Sequence, residues 1–358
     1  MKIIHTADIH LKEYSDVRWK ALEEILSVCS EREVDVLTIS GDLFDENISG
    51  EVLQNKLREL FSNLHFKVKF IPGNHDISAI NKGSYFGDDF EVINDYRTPV
   101  CIKDFEIWGL PFRENETNEK ILNKLEYIKK NKDPEKTNIL LFHGELMDSF
   151  FSGEDYGDEE SGRYMPVRKS DFEKSGLDFV LAGHFHSSFN LFEIDAKTKY
   201  IYPGSPVSIT KKETGRRKVL LIEDEKYKPI DVKSFYYSRL DYKLDPYSEN
   251  NPKKDLKKIL KVQDPDASLL VNIGGFFNGQ KYDITEKELV EFVKQSIDEY
   301  DFKYKPEDLN FKFKDISYIL ESEIYKKFRK ILNQENYKNQ KEINKIVVKA
   351  MSEVEYEN

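Results

Sequence analysis

The chain has 358 residues, 39% of them apolar, with 55 basic against 66 acidic side chains and a formal charge of −11. That length accommodates a catalytic domain of about 200 to 250 residues plus a smaller appendage, while the acidic balance speaks against a general electrostatic coat for nucleic acid. An enzyme acting on a phosphate remains open, because surface charge is screened beyond about 8 Å at physiological salt and the substrate meets only the local field.

The first half alternates short β-branched runs with amphipathic stretches, the pattern of an α/β sheet with helices on its faces. Strands are predicted at 2–7, 35–40, 67–71, 138–142 and 178–182. Between them, Leu22, Ile25, Leu26 and Cys29, then Leu53, Leu57, Leu60, Phe61 and Leu64, recur at helical spacing and read as core. From about 189 to 236 the pattern changes to short strands and turns, with Pro203-Gly204-Ser205-Pro206 as a turn cluster, predicting a second sheet packed on the first. Asp241 to Pro252 reads as a linker, and the acidic stretch Gly153 to Gly162 as a solvated loop.

Beyond the linker, a helix, a strand, a second helix and a second strand suggest a small α/β cap over 253–315. Apolar stripes at Ile324, Phe328, Ile331 and Leu332, then Ile343, Ile346, Val347, Ala350 and Val354, predict a helical tail over 316–358. The tail either folds back on the cap or docks another protein. The expected fold is thus α/β: a two-sheet sandwich flanked by helices over 1–240, a small α/β cap and C-terminal helices.

Cys29 and Cys101 match no zinc spacing and read as reduced thiols. Polar residues interrupt the first eight positions too early for a signal peptide, and no apolar run approaches the roughly 18 residues of a membrane span. A soluble, cytoplasmic protein without membrane contact is expected.

Six of the seven histidines sit in or beside five short motifs, each at or just after the end of a predicted strand. The motifs are Asp8-Ile9-His10, Gly41-Asp42-Leu43-Phe44-Asp45, Gly73-Asn74-His75-Asp76, His143-Gly144 and Gly183-His184-Phe185-His186. Neighbouring strands of an open α/β sheet end in one crevice, so motifs spread over nearly 180 residues of sequence converge in space. Singly, each motif is cheap; as a set they form a mixed carboxylate, imidazole and amide donor group suited to Mn, Fe or Zn. His5, within the first strand, and His65 are assigned no role, since a packed or solvated histidine is the default.

Hydrolysis of a phosphodiester needs an attacking oxygen deprotonated near neutral pH and compensation for charge on the phosphate. Two divalent cations about 3.5 to 4 Å apart supply both. Their +4 against the −2 of two carboxylates makes such a crevice locally cationic even in an acidic chain.

At these motifs, over about residues 1–235, the sequence resembles the calcineurin-like metallophosphoesterase superfamily. His5-Thr6-Ala7-Asp8-Ile9-His10-Leu11, Gly41-Asp42-Leu43-Phe44-Asp45 and Tyr202-Pro203-Gly204-Ser205-Pro206 look like the SbcD family of DNA-repair exonucleases and its YhaO-type relatives. The resemblance implies one metal on Asp8, His10, Asp42 and His186, and another on Asp42, Asn74, His143 and His184. It implies His75 as the residue over the scissile phosphate, oriented by Asp76. It further implies a manganese-dependent exo- or endonuclease acting on DNA in double-strand break repair with an SbcC-type ATPase, with a homodimer left open. Asp45 departs from the archaeal and eukaryotic nucleases, which carry a histidine there linked to exonuclease action; this puts the balance of exo- and endonuclease action in doubt.

Asp45, together with Arg216 and Arg217 of the basic run Lys211, Lys212, Arg216, Arg217 and Lys218, is a candidate for substrate contact. The rival readings are a phosphodiesterase or phosphatase for small molecules using the same centre, and a binding scaffold that has lost catalysis.

Overall fold

The computed structural model of the protein describes residues 1–149 and 164–354, apart from 47, 49, 81, 82, 225, 336 and 337. The predicted acidic loop at 153–162 lies outside the described residues. Two compact units divide the chain, Met1–Tyr237 and Ser238–Asn358.

The first unit opens with β1 (Lys2–Thr6), α1 (Val17–Glu31), β2 (Val36–Ser40), α2 (Gly50–Leu60), β3 (Lys67–Ile71) and β4 (Phe90–Val92). Asp16 starts α1, its carboxylate accepting the backbone N–H groups of Arg18 and Trp19. Strands β1 to β4 run parallel. Next come β5 (Val100–Ile102), β6 (Phe105–Leu110), α3 (Asn118–Asn131), β7 (Thr137–His143), α4 (Lys169–Phe172), β8 (Phe179–Gly183), β9 (Asn190–Glu193) and β10 (Lys199–Tyr202). These strands make a second sheet, ordered β5-β6-β7-β8-β10-β9, in which β6, β7, β8 and β10 are parallel. The chain then returns to the first sheet through β11 (Lys218–Glu223) and β12 (Lys226–Asp231), which extend it antiparallel beyond β1.

Strands β2, β6 and β8 are buried along their whole length, as expected where both faces of a sheet are covered. One side of each sheet packs on the other through Ile3, Val36, Ile71, Ile107, Ile139, Leu181 and Leu220. The opposite side of the first sheet carries the α1 and α2 stripes with Leu22, Ile25, Leu53 and Leu57; α3 covers the second with Ile121, Leu125 and Ile128. The result is a four-layered sandwich.

This corrects the expectation that 189–236 alone builds the second sheet. That sheet begins at β5, takes in the strands predicted at 138–142 and 178–182, and receives only β9 and β10 from the later segment. A strand apolar on both faces does not reveal which neighbour it pairs with.

The second unit follows β13 (Tyr237–Leu244) with α5 (Pro252–Lys261), β14 (Ser268–Phe277), α6 (Gly279–Tyr282), α7 (Glu286–Glu299) and β15 (Leu309–Asp315). Strands β13, β14 and β15 form a sheet, covered by Leu256 and Leu260 of α5 and by Leu289, Val293 and Ile297 of α7. The linker expected at 241–252 is overturned in its first part, because Asp241–Leu244 completes β13. There Leu240 and Leu244 are buried while Asp241 and Lys243 point out, the two-residue alternation of a half-covered strand.

The chain ends in α8 (Ser317–Glu321), α9 (Glu323–Gln334) and α10 (Gln340–Val354). Ile316, Ile319, Tyr325 and Val348 make a small core joined by Tyr247 and Phe276 from the same unit. Ile324, Ile331 and Ile346 stay outside it, 73%, 58% and 67% exposed. Among the described residues, no helix is long and apolar enough to cross a membrane.

Candidate metal centre

The five motifs meet at one edge of the sandwich, three from the first sheet, after β1, β2 and β3, and two from the second, at the ends of β7 and β8. Ser40 ties the two sheets beneath them, its hydroxyl donating to the carbonyl of Leu181 at 2.7 Å. At these strand ends Asp8, His10, Asp42 and His184 all adopt positive φ, 55°, 52°, 50° and 97°. Each such residue costs about 1–3 kcal/mol and persists only where its surroundings hold it. Here the loops are stitched together, with the Asp8 N–H donating to Gly41 O at 3.1 Å and the His10 N–H to Asp42 O at 2.9 Å. Gly41, at φ 86°, has no substitute: a Cβ would fall 1.9 Å from His143 Nδ1.

Asp8, His10, Asp42 and His186 place one ligand atom each within 4.8 Å of one another, and so do Asp42, His143 and His184. Within the first group, the Nε2 atoms of His10 and His186 lie 3.2 Å apart. Within the second, Asn74 Oδ1 lies 2.9 Å from His143 Nε2, while His143 Nδ1 faces the carbonyl of Ser40 at 2.8 Å. Asp42 belongs to both groups. Its Oδ1 accepts the His75 N–H at 2.9 Å; its Oδ2 is buried with no hydrogen-bond partner, 3.3 Å from His143 Nε2 and 3.9 Å from His10 Nε2. A buried carboxylate oxygen without a hydrogen bond is costly, so this donor set fits a pair of divalent cations sharing Asp42.

The protonation pattern has the same origin. Burial raises the Asp8 carboxyl to about 7, aided by the nearby Asp42 charge and opposed by His186 and His143. Burial also disfavours the Asp42 charge, but His143, His10 and His75 outweigh it and hold that carboxyl below the usual range. His143 is desolvated, yet Asp42 and Asp8 push it up to about 10. His10 falls well below its ordinary value through burial and the neighbouring His186. Cations entering the cluster would replace protons on Asp8 and His143.

His75 is half-buried on the wall of an open cleft of about 720 Å³, together with His10, Asn74, His186 and Asp45. Asp76, expected to orient His75, instead accepts the N–H groups of Phe44 and Gly73 at 2.9 and 2.7 Å. It joins two loops, because neighbouring side chains on this turn face different ways. Burial, then the Asp42 charge, raises its carboxyl to about 7.

Arg217 is also corrected. It is buried, and its guanidinium donates to the carbonyls of Ser205 and Ser187, each at 2.8 Å, and of His186. It is therefore a brace behind the centre and cannot present itself to a phosphate. Arg216 is exposed, with its guanidinium 5.6 Å from the centre of the Tyr236 ring. Asp45 does line the cleft, where its carboxylate accepts from Arg18 Nη1 at 2.7 Å and lies 3.8 Å from His10 Nδ1.

Sequence reasoning passed over Arg18, Tyr164 and Glu213. Tyr164 stands edge-on to His184, with ring centres 5.1 Å apart. Glu213 is fully buried behind His186. The available signal was weak, a single acid inside the basic run from Lys211 to Lys218.

Among curated proteins, the chain is similar to the D component of the SbcCD nuclease of Staphylococcus saprophyticus, 26% identical over 74% of this chain and 80% of that protein. Solved structures with a similar course include TT1561 of Thermus thermophilus, at 15% identity and TM-score 0.44 over 64% of this chain and 98% of that one. Another is GAP50, the anchor in the inner membrane complex of Plasmodium, at 12% identity and TM-score 0.39 over 65% and 89%. The model of one family, described as calcineurin-like phosphoesterase, matches residues 1–188, more than half of the 358. The chain belongs to the calcineurin-like phosphoesterase family.

Proposed function

We propose that this chain is a metal-dependent DNA nuclease, hydrolysing phosphodiester bonds as an exonuclease, an endonuclease or both. The observation that carries the reading is Asp42 Oδ2, a buried carboxylate oxygen without a hydrogen-bond partner between two groups of imidazole nitrogens. Asp8, His10, Asp42 and His186 would hold one cation; Asp42, Asn74, His143 and His184 would hold the other. When bound, the pair supplies a water acidic enough to attack at neutral pH and charge compensation for the phosphate. The mixed oxygen and nitrogen set suits manganese, with iron or zinc as alternatives.

The chain's own residues do the rest. Asp42 fixes the spacing of the two ligand groups and, through the His75 N–H, the position of His75. His75 reaches the cleft and donates a hydrogen bond or proton to the leaving oxygen. Arg18 neutralises Asp45, so this acid does not repel an incoming phosphate.

The staphylococcal relative is by name a subunit of a nuclease, which supports nuclease action; DNA in double-strand break repair as the substrate and an SbcC-type ATPase as the partner follow from the resemblance of the motifs to the SbcD family. The exposed isoleucines of α9 and α10 are the docking element for that partner. The test is incubation of the full-length protein with linear single- and double-stranded DNA, with and without Mn(II), beside a chromogenic phosphodiester. Degradation of DNA only with the metal is expected. Turnover of the small diester with intact DNA would establish the small-molecule phosphodiesterase reading instead.

A further inference from the structure

We infer that Glu213 is a positioning residue of the metal centre, its carboxylate holding the His186 ring with Nε2 turned toward His10. The inference rests on the two-cation reading above and adds a residue outside the five motifs.

Glu213 lies in the segment between β10 and β11, and its side chain is fully buried. A carboxylate in that position requires compensation from every side. Oε2 accepts the Ile209 N–H at 2.8 Å, and Oε1 accepts the Thr210 hydroxyl at 3.2 Å. Oε1 also faces His186 Nδ1 at 3.7 Å, a short adjustment from a hydrogen bond. The Arg217 guanidinium, whose N–H groups go to the carbonyls of Ser205, Ser187 and His186, adds a compensating charge nearby without occupying the carboxylate.

A histidine that ligates a metal through one ring nitrogen is commonly fixed by an acceptor at the other, which sets the tautomer and raises the basicity of the ligating atom. Glu213 is that acceptor for His186. On the other side of the centre the corresponding acceptor is a neutral carbonyl, Ser40 O against His143 Nδ1. The two cation positions are therefore backed differently, one by a carboxylate and one by a peptide group. Glu213 has a second consequence: Ile209 and Thr210 line the cleft, so the group that aims His186 also sets the cleft wall beside it.

The two positions should respond unequally to loss of the Glu213 charge. Mn(II) binding to the full-length protein and to Glu213→Gln, followed by calorimetry and by electron paramagnetic resonance, makes the comparison. Gln preserves size and can still accept the Ile209 N–H. One of the two Mn(II) sites should weaken by about 10- to 100-fold, with the other unchanged. Equal affinities in both proteins, or equal weakening of both sites, overturns the role of Glu213. No Mn(II) bound by the unaltered protein would overturn the two-cation reading itself. A second measurement needs no variant: in Zn(II)-loaded protein, nitrogen NMR should find His186 protonated at Nδ1 and metal-bound at Nε2. The opposite assignment excludes the proposed contact.

Discussion

His10 and His186 point their Nε2 atoms at each other across 3.2 Å, although 176 residues separate them in the chain. Two neutral imidazoles with lone pairs facing at that distance repel; a proton or a cation between them turns the contact favourable. Burial and the adjacent His186 depress protonation of His10; a neutral pair meets the contact with one ring's Nε2–H donating to the other, and a cation held between two Nε2 lone pairs would meet it equally.

Loss of the His75 ring separates chemistry from metal binding. His75→Ala keeps the side chains of both ligand groups, and its backbone N–H can still meet Asp42. It should retain two Mn(II) per chain and lose about 10²- to 10⁴-fold in DNA cleavage, the scale of a general acid. Metal content and a cleavage time course on the same sample check this, and normal cleavage would remove His75 from the mechanism.

Acidity should act on stability and metal binding in opposite senses. Asp8 and Asp76 rise from 3.8 to about 7 in the folded chain, so their contribution is complete below about pH 4 and lost as pH climbs through 7. His143 rises from 6.5 to about 10; its contribution is complete below 6.5 and lost through 10. Asp42, shifted downward, loses its contribution only under acid. His5, lowered to about 3, and His10 act in the opposite sense and offset the two carboxyls up to about pH 6.5, so the metal-free protein should melt at progressively lower temperature from about pH 6.5 to 10. Mn(II) affinity should climb from about pH 6 and go on climbing toward 10, as protons leave first Asp8 and then His143. Calorimetry in buffers of differing ionisation enthalpy would count the released protons, and a pH-independent affinity would be at odds with the assigned cluster.

Arg216 and Arg217, adjacent in sequence, should behave differently. Arg217→Ala strands three carbonyls and leaves buried Glu213 without its nearby positive charge, a loss of about 3–5 kcal/mol by the usual scale for breaking a buried charge network. Arg216→Ala, at an exposed position, should change stability by about 0.5 kcal/mol or less. Urea denaturation of the two variants decides it; similar midpoints would mean that Arg217 is no brace.

Ile324 and Ile331 lie two turns apart on α9, on one exposed face. The double variant Ile324→Ser/Ile331→Ser should fold and bind Mn(II) as the parent does while losing co-elution with an SbcC-type ATPase. Undiminished co-elution would place the docking element elsewhere.

The five motifs were legible because each sets carboxylate, imidazole or amide side chains, beside a glycine in all but the first, at the end of an apolar strand. Their convergence followed from parallel topology. Which sheet each belonged to was hidden, since β2, β6 and β8 are buried on both faces and carry no alternation. Asp76 misled through adjacency: it follows His75 in sequence but bonds Phe44 and Gly73. Arg217 misled through charge, because a cation inside a basic run looks solvated until its burial is known. Asp241 and Lys243 gave β13 the look of a linker, as the outward half of any half-covered strand will.

The stoichiometry of Mn(II) on the full-length protein, measured by calorimetry beside Asp42→Ala, tests the centre most directly. Two ions per chain in the parent and loss of tight binding at both positions in the variant are predicted, since both ligand groups share that carboxylate. A parent that binds none, or a variant that keeps two ions at unchanged affinity, would contradict it.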